Sequence, residues 1–390
     1  MSRKIVAVLI VVSMVLVGVL APGCEPTDET IDIGSILCMT GALSAMGHLI
    51  SQGAILAVEE INDDGGVLGK NLTITIEDSA TNDATAFEAY KKLVEVDGVE
   101  VIVGPMISGA VMSSGAYAEL NEVAMVSPSA TSPLITNTTW TQWALRTCTT
   151  DYLQGGVIAD IIIDEGYNAT AFMVQDTPYG IGIELAVTEI LEAANVTIVE
   201  TIRYDEEALD YNTELQIIKD AGADVIVQVG YHTDSAKVYE NADSLGLNAT
   251  PWLVAEGVYG LVASEYPAAA AFMAEAPLLG CTLIPEPGEP FYDDFVAAYE
   301  ARWGESPGVY CDTVYDAVNL IALAIEDAGV YDGAAIKDAL YKVGANYTGA
   351  SGDINWDELG DRAHATYGVW DYVETEPDVY EYDILYNVVF

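Results

Sequence analysis

Two successive stretches of the chain combine the pattern of a buried strand with a turn of small residues. Residues 101–110 read VIVGPMISGA, and residues 125–131 read MVSPSAT. Each begins as an apolar, β-branched run and leads into a helix-like pattern, as at the carboxyl end of a strand in an open α/β sheet. Ligands bind at such ends, where helix N–H groups and Ser or Thr hydroxyls donate hydrogen bonds. The two junctions predict a cradle for a carboxylate-sized anion at Ser108 and Thr131, although helix capping alone would also explain both residues.

Strand and helix patterns alternate along most of the chain. In the first part, strands are predicted at 30–39, 72–76, 99–103 and 124–126, and helices at 48–61, 82–96 and 110–121, with Asn82 as an N-cap. From residue 152, helices are predicted at 152–163, 181–194, 212–221 and 235–244, and strands at 169–175, 197–203, 225–229 and 252–255. This alternation predicts an α/β fold class with two doubly wound, Rossmann-like lobes. An apolar run at 281–284 precedes three late helices, at 291–303, 313–327 and 334–341, which are expected to cover the first sheet.

The chain is strongly acidic along its whole length. It carries 61 acidic and 13 basic residues among 390, a formal net charge of −48. No basic face is available to meet phosphates, so nucleic acid is excluded as a partner. The acidity fits either ordinary solubility or a coat adapted to a salty medium.

The N-terminus has the pattern of an export signal at residues 1–24. Arg3 and Lys4 precede an unbroken apolar run at 5–20, which is followed by Ala-Pro-Gly-Cys24. The Gly before Cys24 resembles a lipoprotein processing site, in which Cys24 becomes the lipid-bearing first residue; an uncleaved membrane anchor is the alternative. Either form places the body outside the cytoplasm, at the outer face of the cytoplasmic membrane. Residues 25–30 are expected to form a flexible tether.

Enzyme and metal signatures are absent from the sequence. It contains no GxSxG, HExxH or GxGxxG motif. The pattern Asp353-x-Asn355-x-Asp357 begins like a calcium loop, but Glu358 stands where that loop needs Gly. No CxxC or other metal spacing occurs among the remaining cysteines, which could be thiols or form an occasional disulfide: Cys38, Cys148, Cys281 and Cys311. We therefore expect no enzymatic activity, cofactor or metal.

Several short motifs occur in an order that resembles a known family. They are found at 34–41, 57–66, 104–108, 127–131, 146–155, 179–180 and 352–361. In this order they are similar to the type I periplasmic binding proteins, specifically the branched-chain amino-acid-binding (Leu/Ile/Val) group. The resemblance implies two lobes joined by a three-crossover hinge, with crossings near 147–150, 279–283 and 350–361. The N-terminal lobe would comprise 31–148 plus 282–352, and the C-terminal lobe 149–281 plus 353–390.

The resemblance also implies a site in the cleft between the lobes. Ser108 and Thr131 would hold a ligand carboxylate, and the backbone at Ser129 and Ala130 would offer a carbonyl to its ammonium. In the second lobe, Glu256 matches the family's acidic partner of the ammonium, since a desolvated ammonium needs a charged partner. Two tyrosines match cleft-lining positions, Tyr179 and Tyr231, and Met46 stands where the family often has an aromatic residue.

What the resemblance implies for function is solute capture. The protein would bind an amino acid by hinge closure and deliver it to the permease of an ABC transporter. A ligand-binding sensor without transport is the alternative, as is uptake of an amide, a urea-like molecule or an aromatic acid.

Overall fold

The computed structural model describes residues 30–285 and 290–390. The predicted export signal with Cys24 lies outside the described residues, as does the predicted tether up to residue 29. Thr30, the last residue assigned to that tether, is already the first residue of a strand. In the described part of the chain, no helix has the length and apolar character needed to cross a membrane.

The first sheet has five parallel strands and carries the first lobe. They are β1 (Thr30–Leu37), β2 (Asn71–Asp78), β3 (Val101–Val103), β4 (Ala124–Ser127) and β5 (Ala144–Arg146), in the spatial order β2-β1-β3-β4-β5. Three helices alternate with the early strands: α1 (Ser44–Asp63), α2 (Asp83–Lys92) and α3 (Ser108–Asn121). The side chain of Asn82 accepts a hydrogen bond from the Thr85 N–H, which confirms the predicted N-cap of α2.

The second junction, at residues 125–131, does not lead into a helix. After β4 the chain forms a loop that reaches β5 through a single 3₁₀ turn at Thr141–Trp143. Ser132 precedes Pro133, and the residue before a proline is biased away from helical backbone. The helix-capping explanation of Thr131 is therefore wrong, and β5 was missed by the sequence analysis.

The second lobe is built on a larger sheet. Its parallel strands are β6 (Ala169–Gln175), β7 (Thr197–Tyr204), β8 (Val225–Val229), β9 (Trp252–Val254) and β10 (Leu278–Ile284). Its helices are α4 (Asp151–Asp164), α5 (Pro178–Ala193), α6 (Asn212–Ala221), α7 (His232–Ser244) and α8 (Pro267–Glu275), of which α8 was not predicted. The predicted bounds of β6, β8 and α6 are confirmed to the residue.

The late helices return to the first lobe, as predicted. They are α9 (Pro290–Trp303), α10 (Cys311–Ala328) and α11 (Gly333–Gly344). Helix α10 packs on α1, β3 and β4, and its buried side chains join the hydrophobic core of the first sheet. The short strands β11 (Thr348–Gly349) and β12 (Gly352–Asp353) then form a small hairpin on the way back to the second lobe.

The chain ends in a hairpin that the sequence analysis missed. Strands β13 (Thr366–Glu376) and β14 (Val379–Val389) pair antiparallel and extend the second sheet, in the order β14-β13-β10-β9-β8-β6-β7. Ile284 at the end of β10 pairs with Thr366 of β13. Because β10 stays in this sheet to its last residue, the second crossing follows Ile284, and the predicted boundary at residues 281 and 282 is placed too early.

The fold class itself is confirmed. Two doubly wound α/β lobes are joined by three crossings, which run from β5 to α4, from β10 to α9 and from β11 to β13. The carboxyl ends of the parallel strands in both lobes face the space between them, because the residues that follow β3, β4 and β9 line a common cavity.

Candidate functional site

A small cavity of about 30 Å³ lies between the two lobes, and we call it the inner cavity. Its wall from the first lobe comprises Leu43, Met46, Met106, Ile107, Ser108, Ser129 and Tyr310. Its wall from the second lobe comprises Tyr179, Tyr231, Glu256 and Gly257. Six of the residues named from the sequence thus surround one cavity, while Ala130 and Thr131 do not line it.

Ser108 presents a hydrogen-bond donor from the first lobe. It is the first residue of α3, and the cap position is Ile107, which has no side-chain hydrogen bond to the helix. The Ser108 Oγ accepts the Ser132 N–H at 3.1 Å. A hydroxyl that accepts one hydrogen bond still has its own proton to donate, so Ser108 and the start of α3 together suit an anionic group.

The loop after β4 places Ser129 on the wall of the cavity and Thr131 behind it. The Ser129 hydroxyl donates to the Met106 carbonyl at 2.8 Å. Thr131 is buried, and its carbonyl accepts the Asp151 N–H at 2.8 Å. The Ala130 carbonyl accepts a hydrogen bond from Arg146 Nη1 at 3.3 Å. Thr131 and Ala130 therefore lie between the inner cavity and the start of α4.

Two stacked tyrosines form part of the second-lobe wall. The rings of Tyr179 and Tyr231 lie 5.3 Å apart at an interplanar angle of 6°. Tyr179 lies in the first turn of α5, and its Oη accepts the Gly257 N–H at 3.0 Å. Burial raises the pKa of both phenols well above their usual value, so both stay neutral. The stack presents a flat aromatic wall with hydroxyls at its edge.

Glu256 places a buried carboxyl group on the same wall. It follows β9 by two residues and is only 4% exposed. Burial raises its pKa to about 7 and outweighs the hydrogen bonds from Tyr179 and Tyr310, which lower the pKa. Its Oε2 has no hydrogen-bond partner among the described residues. A buried carboxylate without a cation is costly, so this position suits a positively charged group.

A second buried carboxyl group, Asp151, lies close to Glu256. It is the first residue of α4 and fully buried, and neither of its carboxylate oxygens accepts a hydrogen bond of standard geometry from the described residues. Burial and then the charge of Glu256 raise its pKa, while Thr131 and Arg146 lower it. Two such neighbours are not both ionised at low cost. Burial and mutual repulsion therefore favour a proton on one of the two carboxyl groups unless a cation joins them.

Sequence reasoning missed two residues of this site: Asp151, which lies next to Glu256 but does not line the inner cavity, and Tyr310, which lines it from the first lobe. Asp151 lies within a motif at 146–155 that carried the family resemblance, which was the available signal. Tyr310 reaches the cavity because α10 returns to the first lobe, and its backbone is left-handed, with φ of 66°. Nothing local in the sequence around Tyr310 indicates that return.

A wider cavity of about 450 Å³ lies at the mouth of the cleft. Ile107 and Tyr231 line both this mouth and the inner cavity. The acidic side chains around it come from both lobes and are accompanied by Lys237: Asp83, Glu206, Glu207 and Asp234. Burial and then the charge of Glu206 raise the pKa of Asp83, so carboxylates of the two lobes interact across the mouth.

The fold and the site together are those of a two-lobed protein with a polar and aromatic cleft. Residues 30–371 of the chain match the sequence model of a protein family described as periplasmic binding protein. The chain belongs to this family. Membership in a family of periplasmic binding proteins implies export of the chain.

Relatives of this periplasmic binding protein extend over most of its length. A leucine-, isoleucine-, valine-, threonine- and alanine-binding protein of Pseudomonas aeruginosa is 29% identical over 348 residues, covering 88% of this chain and 90% of that protein. A Leu/Ile/Val-binding protein of Rhizobium johnstonii is 30% identical over 345 residues, covering 87% and 91%. The crystal structure of a leucine-binding protein from Thermotoga maritima superposes with a TM-score of 0.80 at 24% identity, covering 92% and 98%. The periplasmic binding protein described here is therefore of the branched-chain amino-acid group, with the type I fold.

The cysteines and the possible metal-ligating side chains of the described residues form neither a disulfide nor a metal centre. The four described cysteines are free and buried, so no disulfide forms among them. Within residues 30–285 and 290–390, no group of three or more His, Cys, Asp or Glu side chains is arranged to hold a metal ion.

Proposed function

We propose that this periplasmic binding protein captures an α-amino acid with an aliphatic side chain, branched-chain or similar, between its lobes. The names of its relatives support an amino-acid ligand. The chemistry of the inner cavity supports it independently, because the two walls offer the two kinds of group that a zwitterion needs.

The observation that carries the proposal is the unpaired carboxyl group of Glu256 opposite the donors of the first lobe. Glu256 Oε2 has no partner among the described residues, and Ser108 lies across the same cavity at the start of α3. A ligand ammonium would pair with Glu256, and a ligand carboxylate would accept hydrogen bonds from Ser108 and the α3 N–H groups. Thr131 would support this end from behind, by fixing the loop that carries Ser129.

The remaining wall suits an aliphatic side chain. Leu43, Met46, Met106 and Ile107 contribute apolar surface, and the stack of Tyr179 on Tyr231 closes it from the other lobe. Met in place of an aromatic residue at position 46 leaves an adaptable surface, because its side chain is unbranched and flexible. An uncharged amide or an aromatic acid would leave Glu256 without a cation, which makes either a poorer fit.

The mechanism that follows is capture by closure about the three crossings. Each lobe holds only half of the groups, so a ligand bound to one lobe stabilises the closed form by binding the other. The closed form would be read by the permease of an ABC transporter. Cys24, if lipidated, would keep the protein at the outer face of the cytoplasmic membrane. No residue of the site is assigned a catalytic role.

A ligand panel tests this proposal directly. We expect L-leucine, L-isoleucine or L-valine to raise the melting temperature of the purified protein and to bind with measurable heat in isothermal titration calorimetry. Acetamide, urea and 4-hydroxybenzoate serve as uncharged and anionic comparisons. Stabilisation by these compounds, with no shift from any α-amino acid, would refute the amino-acid assignment.

A further inference from the structure

One buried side chain connects the ligand loop to the crossings between the lobes. Arg146 is the last residue of β5, at the start of the first crossing, and it is 0% exposed. Its Nε donates to Asp361 Oδ1 at 2.8 Å, and Nη2 donates to the same oxygen. Asp361 belongs to the third crossing, between β12 and β13. Arg146 therefore bridges two of the three crossings by a buried ion pair.

The same guanidinium holds the loop behind the inner cavity. Arg146 Nη1 donates to the carbonyls of Ser132 at 2.8 Å and of Ala130 at 3.3 Å, on either side of Thr131. Its Nη2 donates to the Thr136 hydroxyl at 2.6 Å. All five N–H groups of the guanidinium are thus used. Three of them hold residues 129–136, which we call the ligand loop, and the other two donate to Asp361.

Two further contacts make this arrangement a closed network. The Thr136 hydroxyl donates to Asp361 Oδ2 at 2.6 Å, so it joins the loop to the third crossing directly. The Arg146 N–H donates to the Gly360 carbonyl at 3.0 Å. These hydrogen bonds therefore fix the positions of the ligand loop, the first crossing and the third crossing relative to one another.

A second arginine reinforces the join between the same two crossings. Arg362 Nη1 donates to the Thr147 carbonyl and to the Ser351 hydroxyl, both at 3.1 Å. Thr147 lies in the first crossing and Ser351 in the third. Neither of these contacts of Arg362 involves the ligand loop. Of the two arginines, only Arg146 therefore couples the ligand loop to the crossings.

We propose that Arg146 is a positioning residue for ligand capture, which locks the ligand loop to the first and third crossings and so couples ligand contact to closure of the lobes. The inference rests on the proposed function, because it assumes that a ligand reaches Ser129 and the residues around it. A ligand that orders the loop thereby orders the crossings as well. Without the lock, the loop would bind its part of the ligand without biasing the hinge.

Thr136→Val is the most informative variant. It removes one hydroxyl and leaves the ion pair of Arg146 with Asp361 in place, whereas truncation of Arg146 would strand a buried carboxylate and endanger folding. Thr138→Val is the matched control, because Thr138 lies two residues beyond the ligand loop and its hydroxyl donates only to the Ile135 carbonyl. Thr136→Ser restores the hydroxyl and tests for rescue.

The experiment measures L-leucine binding by titration calorimetry and stopped-flow fluorescence, and closure by the change in radius of gyration on adding leucine. Thr136→Val removes two part-buried hydrogen bonds, one from Arg146 and one to Asp361. We expect it to weaken binding about three- to tenfold, mainly through faster dissociation, and to reduce the change in radius. Thr138→Val and Thr136→Ser are expected to stay within about twofold of wild type.

Two results would overturn the coupling by Arg146. One is wild-type binding and closure in Thr136→Val; the other is an equal loss in Thr138→Val, which would indicate general destabilisation of the loop. Absence of leucine binding in the wild-type protein would be a separate failure, because it refutes the proposed leucine-type ligand and the coupling inference with it.

Discussion

The two lobes treat buried charge differently at the cleft. On the side of the first lobe, the charged group behind the ligand loop is Arg146, which is fully hydrogen-bonded and paired with Asp361. On the side of the second lobe, Glu256 and Asp151 are buried with carboxylate oxygens that lack partners in the described part of the chain. The buried arginine behind the first-lobe wall is therefore already paired, while the buried carboxyl groups of the second lobe lack a cation among the described residues.

This difference indicates how a zwitterion would be oriented. The Ser108 hydroxyl and the start of α3 favour a carboxylate in the first lobe, and the unpaired carboxyl groups favour an ammonium near Glu256. A bound zwitterion would then offset the unpaired buried charge of the second lobe, whereas the described residues of the first lobe have no unpaired charge at the cavity to offset. Variants on the two walls should consequently differ in size of effect, and the predictions below test that asymmetry.

The largest effect is expected from Glu256→Gln. Removing the charge that pairs with a desolvated ammonium should weaken amino-acid binding by about 100-fold, or roughly 3 kcal/mol, by analogy with buried charged hydrogen bonds. Titration calorimetry with L-leucine measures the change. Glu184→Gln is the matched control, because Glu184 is a buried carboxylate of α5 that pairs with Arg203 at 2.6 Å rather than facing the cavity. A loss below threefold in Glu256→Gln would remove the proposed asymmetry.

The next effect is a pH dependence of affinity. Burial raises the pKa of Glu256 to about 7, and an ammonium binds its ionised form. Affinity should therefore fall by up to about tenfold per pH unit as the pH drops below about 7, and it should level off above. Calorimetry between about pH 5.5 and 8.5 checks this, with Glu256→Gln as the comparison in which only Asp151 of the buried pair still titrates. A flat wild-type profile would contradict the role of Glu256.

The free energy of unfolding of the unliganded protein should fall as the pH rises, whereas the affinity for the ligand rises. Because the pKa of Glu256 is raised in the folded state, the unfolded state loses its proton first, near the ordinary value of 4.5. The folded state then binds more protons between about pH 4.5 and 7, so this group lowers the free energy of unfolding as the pH rises through that window. Thermal melts should show leucine stabilising the protein more at pH 8 than at pH 5.5. Equal stabilisation at both values would contradict the assignment.

A smaller effect is expected on the first lobe. Ser108→Ala removes one neutral donor and should weaken binding about tenfold or less. Thr131→Val should cost less than Ser108→Ala, because Thr131 does not line the inner cavity. Dissociation constants for L-leucine decide the order. A larger loss in Thr131→Val than in Ser108→Ala would place the carboxylate against the loop after β4 instead of α3.

The smallest effect is expected at the tyrosine stack. Tyr179→Phe keeps the ring against Tyr231 and loses the hydroxyl that accepts the Gly257 N–H and donates towards Glu256. We expect a three- to fivefold loss of affinity, with the lower limb of the pH profile displaced to higher pH. An unshifted pH profile would show that the hydroxyl does not stabilise the Glu256 charge.

Much of the fold could be predicted because periodicity reports local structure. Strands β6 and β8 are short, mostly apolar and almost wholly buried segments, and their predicted ends agree with the structure to the residue. The hairpin of β13 and β14 was missed, and its second strand is mostly exposed. The register of β10 with β13 depends on tertiary pairing, which is why the second crossing was placed too early.

The residues of the site likewise fall into those that could be predicted from the sequence and those that depend on tertiary contacts. Ser108 follows a strand end that the sequence marks clearly, and the family resemblance placed Glu256 across the cleft from it, so their common cavity could be anticipated. Thr131 was predicted beside Ser108 from an assumed second helix, but the chain forms a loop there and Ser129 takes the wall position. Tyr310 and the neighbourhood of Asp151 arise from crossings between lobes, where residues distant in sequence meet and no local pattern exists.

The most direct test of the central claim compares L-leucine with its two truncated analogues by titration calorimetry on the wild-type protein. 3-Methylbutylamine keeps the ammonium and lacks the carboxylate, and 4-methylpentanoate has the reverse. We predict that leucine binds at least about 100-fold more tightly than either analogue, and that the acid, which leaves Glu256 unpaired, is the weakest of the three. Binding of 4-methylpentanoate as tight as that of leucine would contradict the account, because Glu256 would then have no cation to bind.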